Sequence, residues 1–199
     1  MGHHVMAIDY RGYGDSTWLS PSETSMVADA KAAYDFLVQR VHPSTNIFIW
    51  GHSLGTGVTS KLSHDLSIDD SRSLKPKGII LEAPFNCMLD EVETFKLAGI
   101  LPYLGIQADT VLSQADMSFD SARWLKGVKE VPILIMHAED DNVIPFSLAR
   151  KLYDEIRQAS GIDVQFQGFQ AEEQLGHDGI YKAQGIVDII TGFVNRTIQ

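Results

Sequence analysis

The amino-acid sequence of 199 residues predicts one α/β domain, in which helices cover both faces of a mostly parallel β-sheet. Short apolar runs alternate along the chain with longer segments whose apolar residues recur at helical spacing. The runs are apolar throughout instead of alternating with polar residues, which is typical of strands buried on both faces. No repeat or linker interrupts this pattern, and a chain of this length can bury one sizeable core.

The first half of the chain begins with the apolar residues 5–8, which we expect to form a strand that ends in the turn-rich stretch 9–16. Residues 20–23 fit a capping box with proline at the first helical position. They therefore predict that a helix begins there and ends near residue 40. The next predicted elements are a strand at 47–50, a glycine-rich turn and a helix at 54–66.

The second half of the chain continues the alternation with three strands and two helices. The strands are predicted at 78–81, 131–136 and 164–166, and the helices at 146–156 and 185–194. Residues 88–129 break the pattern, because they contain no clear strand and the stretch 95–104 is partly apolar at helical spacing. We interpret 88–129 as a cap-like insertion within a single domain, 1–199. The alternative is an ordinary crossover helix with an insertion.

Charge and composition narrow the class of partners. The formal net charge of −10 and the lack of a basic patch argue against nucleic acid. No apolar run approaches the roughly 18–20 residues that cross a bilayer, and no signal peptide is visible, so we expect this chain by itself to be soluble. The single cysteine excludes an internal disulfide.

Ser53 lies in a glycine–any–serine–any–glycine pattern between a predicted strand and a predicted helix. A nucleophilic serine on a sharp strand-to-helix turn needs small residues two positions before and after it, here Gly51 and Gly55. The turn also places the backbone N–H of Leu54 at a helix N-terminus, where it can face a developing oxyanion. We therefore predict that Ser53 is a nucleophile, the alternative being a purely structural glycine turn.

An acid is expected in the loop after a later strand, and Glu139, Asp140 and Asp141 follow the predicted strand 131–136. We favour Asp141 over Asp140 because it lies just before the Val-Ile-Pro that leads into the next helix. The alternative is a solvated acidic loop in which one residue caps that helix.

A base is expected after the last strand, and His177 follows it in a loop with glycines on either side. In the resulting mechanism Ser53 attacks an acyl carbonyl and His177 takes and returns the proton. Asp141 fixes the imidazole tautomer. We expect His52 to pack beside the turn and His137 to be structural. The remaining histidines lack ligand-type spacing, so neither a metal site nor a cofactor is predicted.

With serine, aspartate and histidine in this order, the sequence resembles the α/β-hydrolases. The segments 9–16, 50–57, 81–85 and 137–153 resemble in particular the branch of lysophosphatidylserine and monoacylglycerol lipases. The resemblance covers nearly the whole chain and is weakest in 88–129. It implies that Ser53, Asp141 and His177 are the catalytic triad, and that the substrate is a lipid acyl ester. It also implies a full-length protein anchored in the membrane of the endoplasmic reticulum. The oligomeric state stays open.

The sequence also departs from that family, whose fold has eight strands in the order 1-2-4-3-5-6-7-8. Residues 5–8 correspond to the fourth strand, so the first three strands, the anchor and the loop with the second oxyanion donor are expected to be missing. The strands at 5–8 and 47–50 must then either pair directly or leave an apolar edge exposed.

We therefore expect a fragment, a truncated isoform or an incomplete gene model with marginal stability and little or no hydrolase activity. The loss of one oxyanion donor typically costs about 10²- to 10³-fold in rate. The alternatives to a lipase are an acyl-protein thioesterase (depalmitoylase), or an impaired chain that acts by binding.

Overall fold

The sheet at the centre of the molecule has four parallel strands that lie side by side in chain order. The computed structural model describes residues 2–88, 116–159 and 161–198. The strands are β1 (Phe48–His52), β2 (Gly78–Glu82), β3 (Ile133–Ala138) and β4 (Val164–Phe169). Four of the five predicted strands are confirmed, with bounds that move by three residues at most.

Helices connect the strands. Within the described residues they are α1 (Glu23–Val38), α2 (Leu54–Ile68), α3 (Ser121–Lys126), α4 (Phe146–Gln158) and α5 (Ile186–Thr197). Two short 3₁₀ helices, Ala171–Glu173 and Ile180–Lys182, lie between β4 and α5. The structure confirms the four predicted helices and adds α3. None of the helices in the described part is long and apolar enough to cross a membrane.

Both faces of the sheet are covered, as the apolar runs predict. All six residues of β3 are buried, and successive side chains point to opposite faces. One face of β2 and β3 packs against α3 and α4; its residues are Ile79, Leu81, Ile133 and Ile135. The other face packs against α5; its residues are Ile80, Leu134, Met136 and Ala138. The predicted fold class is confirmed.

The predicted strand at 5–8 is wrong. Residues 2–10 contain no strand, and Val5 is 89% exposed. An apolar run becomes a strand only when its N–H and C=O groups pair with a neighbour, and no described strand pairs with this one. Among the described strands β1 therefore pairs with β2 alone, and its Trp50 is 48% exposed. Of the two expected outcomes, the exposed apolar edge is the one observed.

The N-terminus of α1 also differs from the prediction. Its N-cap is Ser22 instead of Ser20, and the capping box is completed by Ser25, whose backbone N–H donates to Ser22 Oγ at 3.2 Å. Glu23, which the sequence pattern assigns to the cap, is buried. Its carboxyl group accepts the backbone N–H of Phe119 at 2.6 Å and the indole N–H of Trp124 at 3.3 Å. Glu23 therefore joins α1 to the segment before α3.

We expect Glu23→Leu to lower the free energy of unfolding by about 2–3 kcal/mol, because the buried N–H of Phe119 loses its acceptor. Glu23→Gln keeps an acceptor oxygen and should cost about 1 kcal/mol. Ser118→Ala is the control, since it removes the hydroxyl that donates to Glu23 at 2.9 Å and leaves Phe119 paired. Urea denaturation measures the three losses. Equal losses for Leu and Gln would show that the hydrogen bonds of Glu23 do not hold this junction.

The predicted cap-like insertion, 88–129, falls partly outside the described residues. Residues 89–115, which include the apolar stretch 95–104, lie outside them. Within 116–129, the α3 residues Ala122 and Leu125 pack in the same core cluster as β2 and β3. Residues 116–129 therefore help to cover the sheet. For residues 89–115 the cap remains a prediction.

Candidate active site

The carboxyl ends of the strands lie at one edge of the sheet, because all four strands are parallel. Ser53 follows β1 directly, Asp141 lies in the loop after β3, and His177 lies in the loop after β4. In open parallel sheets this edge is where functional side chains from separate loops can meet. The fold therefore brings together three residues that are far apart in the sequence.

Ser53 occupies a strained turn between β1 and α2. Its backbone has φ 50° and ψ −121°, a conformation that side-chain-bearing residues rarely adopt and that costs about 1–3 kcal/mol. Hydrogen bonds hold it there. The Ser53 N–H donates to the Glu82 carbonyl at 2.9 Å, and the Ser53 carbonyl accepts from the N–H of Thr56 at 2.9 Å. The turn thus fixes the position of the Ser53 hydroxyl.

The three predicted side chains form a hydrogen-bonded series. Ser53 Oγ lies 2.9 Å from His177 Nε2, and His177 Nδ1 lies 2.8 Å from Asp141 Oδ2. Because Nδ1 faces a carboxylate, it carries the imidazole proton, which leaves Nε2 to accept the proton of the serine hydroxyl. The arrangement can move a proton from Ser53 to His177.

Asp141 is held as a carboxylate. Its side chain is fully buried, and Oδ1 accepts the backbone N–H groups of Val143 at 2.8 Å and Ile144 at 2.9 Å. Burial raises the pKa of this carboxyl, but the hydrogen bonds from His137, His177 and Ile144 together outweigh burial and lower the pKa far below its usual range. Asp141 therefore stays ionised at neutral pH and can stabilise an imidazolium.

The two acids before Asp141 have different partners. Asp140 Oδ2 accepts the backbone N–H of Gly176 at 3.0 Å, while Glu139 Oε1 lies 3.4 Å from Gln170 Nε2. Gly176, at φ +56°, is the residue before His177. Asp140 thus anchors the loop that carries His177 and does not contact the imidazole. The sequence does not predict this role, because the partner of Asp140 lies 36 residues away in the chain.

Leu54 is the first residue of α2, so its backbone N–H has no acceptor within the helix. This position fits the predicted oxyanion donor, and the role remains a prediction.

His52 lies beside His177. Its Nε2 is 3.1 Å from the His177 carbonyl oxygen, and the two ring centroids are 5.0 Å apart. In the described part of the chain, His52, His177 and Asp178 form the group whose ligand atoms could approach a metal ion, all within 4.8 Å of one another. His52 Nε2 must carry a proton to donate to a carbonyl, and both nitrogens of His177 face Ser53 and Asp141. A metal ion would have to displace these hydrogen bonds.

The sheet and the serine turn define an α/β-hydrolase fold. The structure superposes on an α/β-hydrolase from Vibrio vulnificus with a TM-score of 0.66 and 23% identity, covering 92% of this chain and 61% of that one. A family model described as serine aminopeptidase, S33, matches residues 1–106, and the chain belongs to that family.

Two curated relatives are similar to this chain over almost its whole length. The chain is 38% identical to lysophosphatidylserine lipase ABHD12 of Danio rerio, over 98% of this chain and 51% of the relative. It is 35% identical to lysophosphatidylserine lipase ABHD12 of Xenopus tropicalis, over 100% of this chain and 52% of the relative. The predicted resemblance to this branch is confirmed. The chain spans about half the length of the curated relatives that it matches.

Proposed function

We propose that this chain carries the catalytic triad of a serine hydrolase that cleaves acyl esters, with Ser53 as nucleophile, His177 as base and Asp141 as the acid that orients it. The observation that carries the proposal is the series of two hydrogen bonds from Ser53 Oγ through His177 to Asp141, on a strained strand-to-helix turn. The same constellation of roles defines serine hydrolases on unrelated folds.

The reaction follows from this geometry. As Ser53 Oγ bonds to the ester carbonyl carbon, its proton moves to His177 Nε2, and the carbonyl oxygen becomes an oxyanion that faces the Leu54 N–H. The bond to the leaving alcohol then breaks, and His177 protonates that oxygen. Water, deprotonated by His177, attacks the acyl-enzyme. The bond between the acyl carbon and Ser53 Oγ breaks, His177 returns the proton to Ser53 Oγ, and the fatty acid leaves. Asp141 stabilises the imidazolium in both steps.

The substrate class is inferred from the relatives. Both are named lysophosphatidylserine lipases, and the alignment spans nearly all of this chain. We therefore propose lysophospholipids as substrates, and the resemblance of segments 9–16, 50–57, 81–85 and 137–153 to lipases of both kinds adds monoacylglycerols. Since such lipids reside in membranes, we extend the proposal to action at a membrane surface. The same resemblance makes the endoplasmic reticulum the membrane that we propose. No observation on the described residues favours the thioesterase or the binding-only alternative.

Ser53→Ala tests the proposal in the natural protein. We expect wild type to react with a fluorophosphonate probe, and Ser53→Ala to lose both this labelling and at least about 10⁴-fold in kcat/KM for monoacylglycerol and lysophosphatidylserine. Ser60→Ala is the control. It removes another buried hydroxyl of α2, which donates to the Thr56 carbonyl at 2.7 Å.

Two results would contradict the proposal. Labelling that persists in Ser53→Ala would place the nucleophile elsewhere. Turnover of aminoacyl amides without turnover of either lipid ester would replace the ester substrate by the peptide-like substrate in the name of the family.

A further inference from the structure

We propose that His137 is a positioning residue that holds Asp141, and through it His177, in the orientation that proton transfer needs. The inference rests on the proposed function, since it assigns a role within the same site. The sequence predicts a structural role for His137, which ends a strand next to the acidic loop.

His137 is the fifth of the six residues of β3, and its side chain is completely buried. Its Nε2 lies 2.9 Å from the carbonyl oxygen of Ile144 and 3.2 Å from Asp141 Oδ2. Both neighbours accept hydrogen bonds, so one proton on Nε2 is shared between a carbonyl and a carboxylate. The carboxylate oxygen is the same one that accepts from His177 Nδ1 at 2.8 Å.

The other nitrogen of this ring fixes the tautomer. His137 Nδ1 is buried and has no hydrogen-bond partner among the residues that the structure describes. The proton therefore resides on Nε2, which faces two acceptors. An apolar side chain would fill the same space without burying an unpaired nitrogen. What the imidazole supplies, and an apolar side chain cannot, is the Nε2–H directed at Ile144 and Asp141.

Donors hold both oxygens of Asp141. The N–H groups of Val143 and Ile144 hold Oδ1, and the imidazoles of His137 and His177 hold Oδ2. With these partners the carboxylate has little freedom to rotate, and the His177 ring has a fixed acceptor. The hydrogen bond from His137 also contributes to the lowered pKa of Asp141.

Removal of this donor frees the carboxylate to rotate away from His177, which slows the chemical step. The side chains around His177 are Asp141, His52 and Asp178, and those around Asp141 are His137 and His177. Of these, a substitution at position 137 changes only the environment of Asp141 directly.

The test compares three substitutions at this position in the natural protein. His137→Leu removes the donor. His137→Gln restores an N–H at about the reach of Nε2, whereas His137→Asn places its amide at the reach of Nδ1. We expect Leu and Asn to lower kcat about 10- to 100-fold with little change in KM, and Gln to stay within about 5-fold of wild type.

Phe146→Leu distinguishes a purely structural role of His137 from its role in positioning Asp141. Phe146 packs edge-on against the His137 ring with centroids 5.8 Å apart, so this variant loses packing and keeps the hydrogen bond. We expect it to lower the unfolding temperature and leave kcat within about 5-fold of wild type. Equal activity of the Gln and Asn variants, or a kcat of His137→Leu within about 5-fold of wild type, would overturn the inference. A Ser53→Ala variant that retains turnover would instead overturn the proposed function.

Discussion

Asp141→Asn is expected to lower kcat/KM for a monoacylglycerol or lysophospholipid ester by about 10⁴-fold, with the fold intact. An asparagine can turn its NH₂ group toward His177 Nδ1, which then has to accept a hydrogen bond. The imidazole takes the other tautomer, in which Nε2 carries the proton and can no longer accept that of Ser53. The loss should appear in kcat, since Asp141 acts on the transition state and has no direct contact with substrate.

The neighbouring Asp140 is the matched control. Asp140→Asn makes the same chemical change one residue earlier and keeps an oxygen that can accept from the Gly176 N–H. We expect a loss below about 10-fold for this variant. Steady-state kinetics and the rate at which a fluorophosphonate labels Ser53 give two independent measurements. A large loss for Asp140→Asn with a small one for Asp141→Asn would reassign the acid to Asp140.

The sequence predicts that Ser53, Asp141 and His177 lie together, because each of them carries a local signal. Ser53 has a glycine pattern between a strand and a helix, and Asp141 and His177 each follow a predicted strand. When every strand is parallel, residues that follow strands lie at the same edge of the sheet, so three local signals predict one site. β1 to β4 also lie side by side in chain order, and consecutive elements of a chain are usually neighbours in space.

The contacts that the sequence could not predict all join residues far apart in the chain. Glu23 has the local pattern of a capping residue, but its partners lie near α3. Residues 5–8 are as apolar as the strands, yet a strand also needs a neighbour that no local pattern supplies. Asp140 binds the loop that carries His177, and His52 binds the His177 carbonyl. Periodicity and motifs describe one segment at a time and do not reveal such pairs.

The glycine pattern around Ser53 predicts a steric requirement at two positions, and the structure shows it at one of them. The sequence predicts that both Gly51 and Gly55 must be small. A Cβ on Gly51 would clash with the Gly55 carbonyl oxygen and lie 2.5 Å from Thr59 Oγ1, whereas a Cβ on Gly55 would meet no described atom within 4 Å apart from its chain neighbours and the backbone of its own helix. The steric requirement therefore applies at position 51, where the end of β1 touches the first turn of α2.

We expect Gly51→Ala to lower the free energy of unfolding by about 3 kcal/mol and kcat by about 10²-fold. The clash is with backbone, so it can be relieved only if α2 moves away from β1, and Ser53 lies at that junction. Gly55→Ala should leave stability unchanged or raise it by up to about 1 kcal/mol, because alanine favours the helix and restricts the unfolded chain.

Urea denaturation and esterase kinetics on both variants measure the difference. If Gly51→Ala folds with wild-type stability, then β1 and α2 can separate without cost, and the strained backbone of Ser53 is not held by this contact. If Gly51→Ala loses stability and Gly55→Ala does not, then the motif at this site consists of one steric requirement and one permissive position. The close approach of the end of β1 to the first turn of α2 would then be what positions the Ser53 hydroxyl.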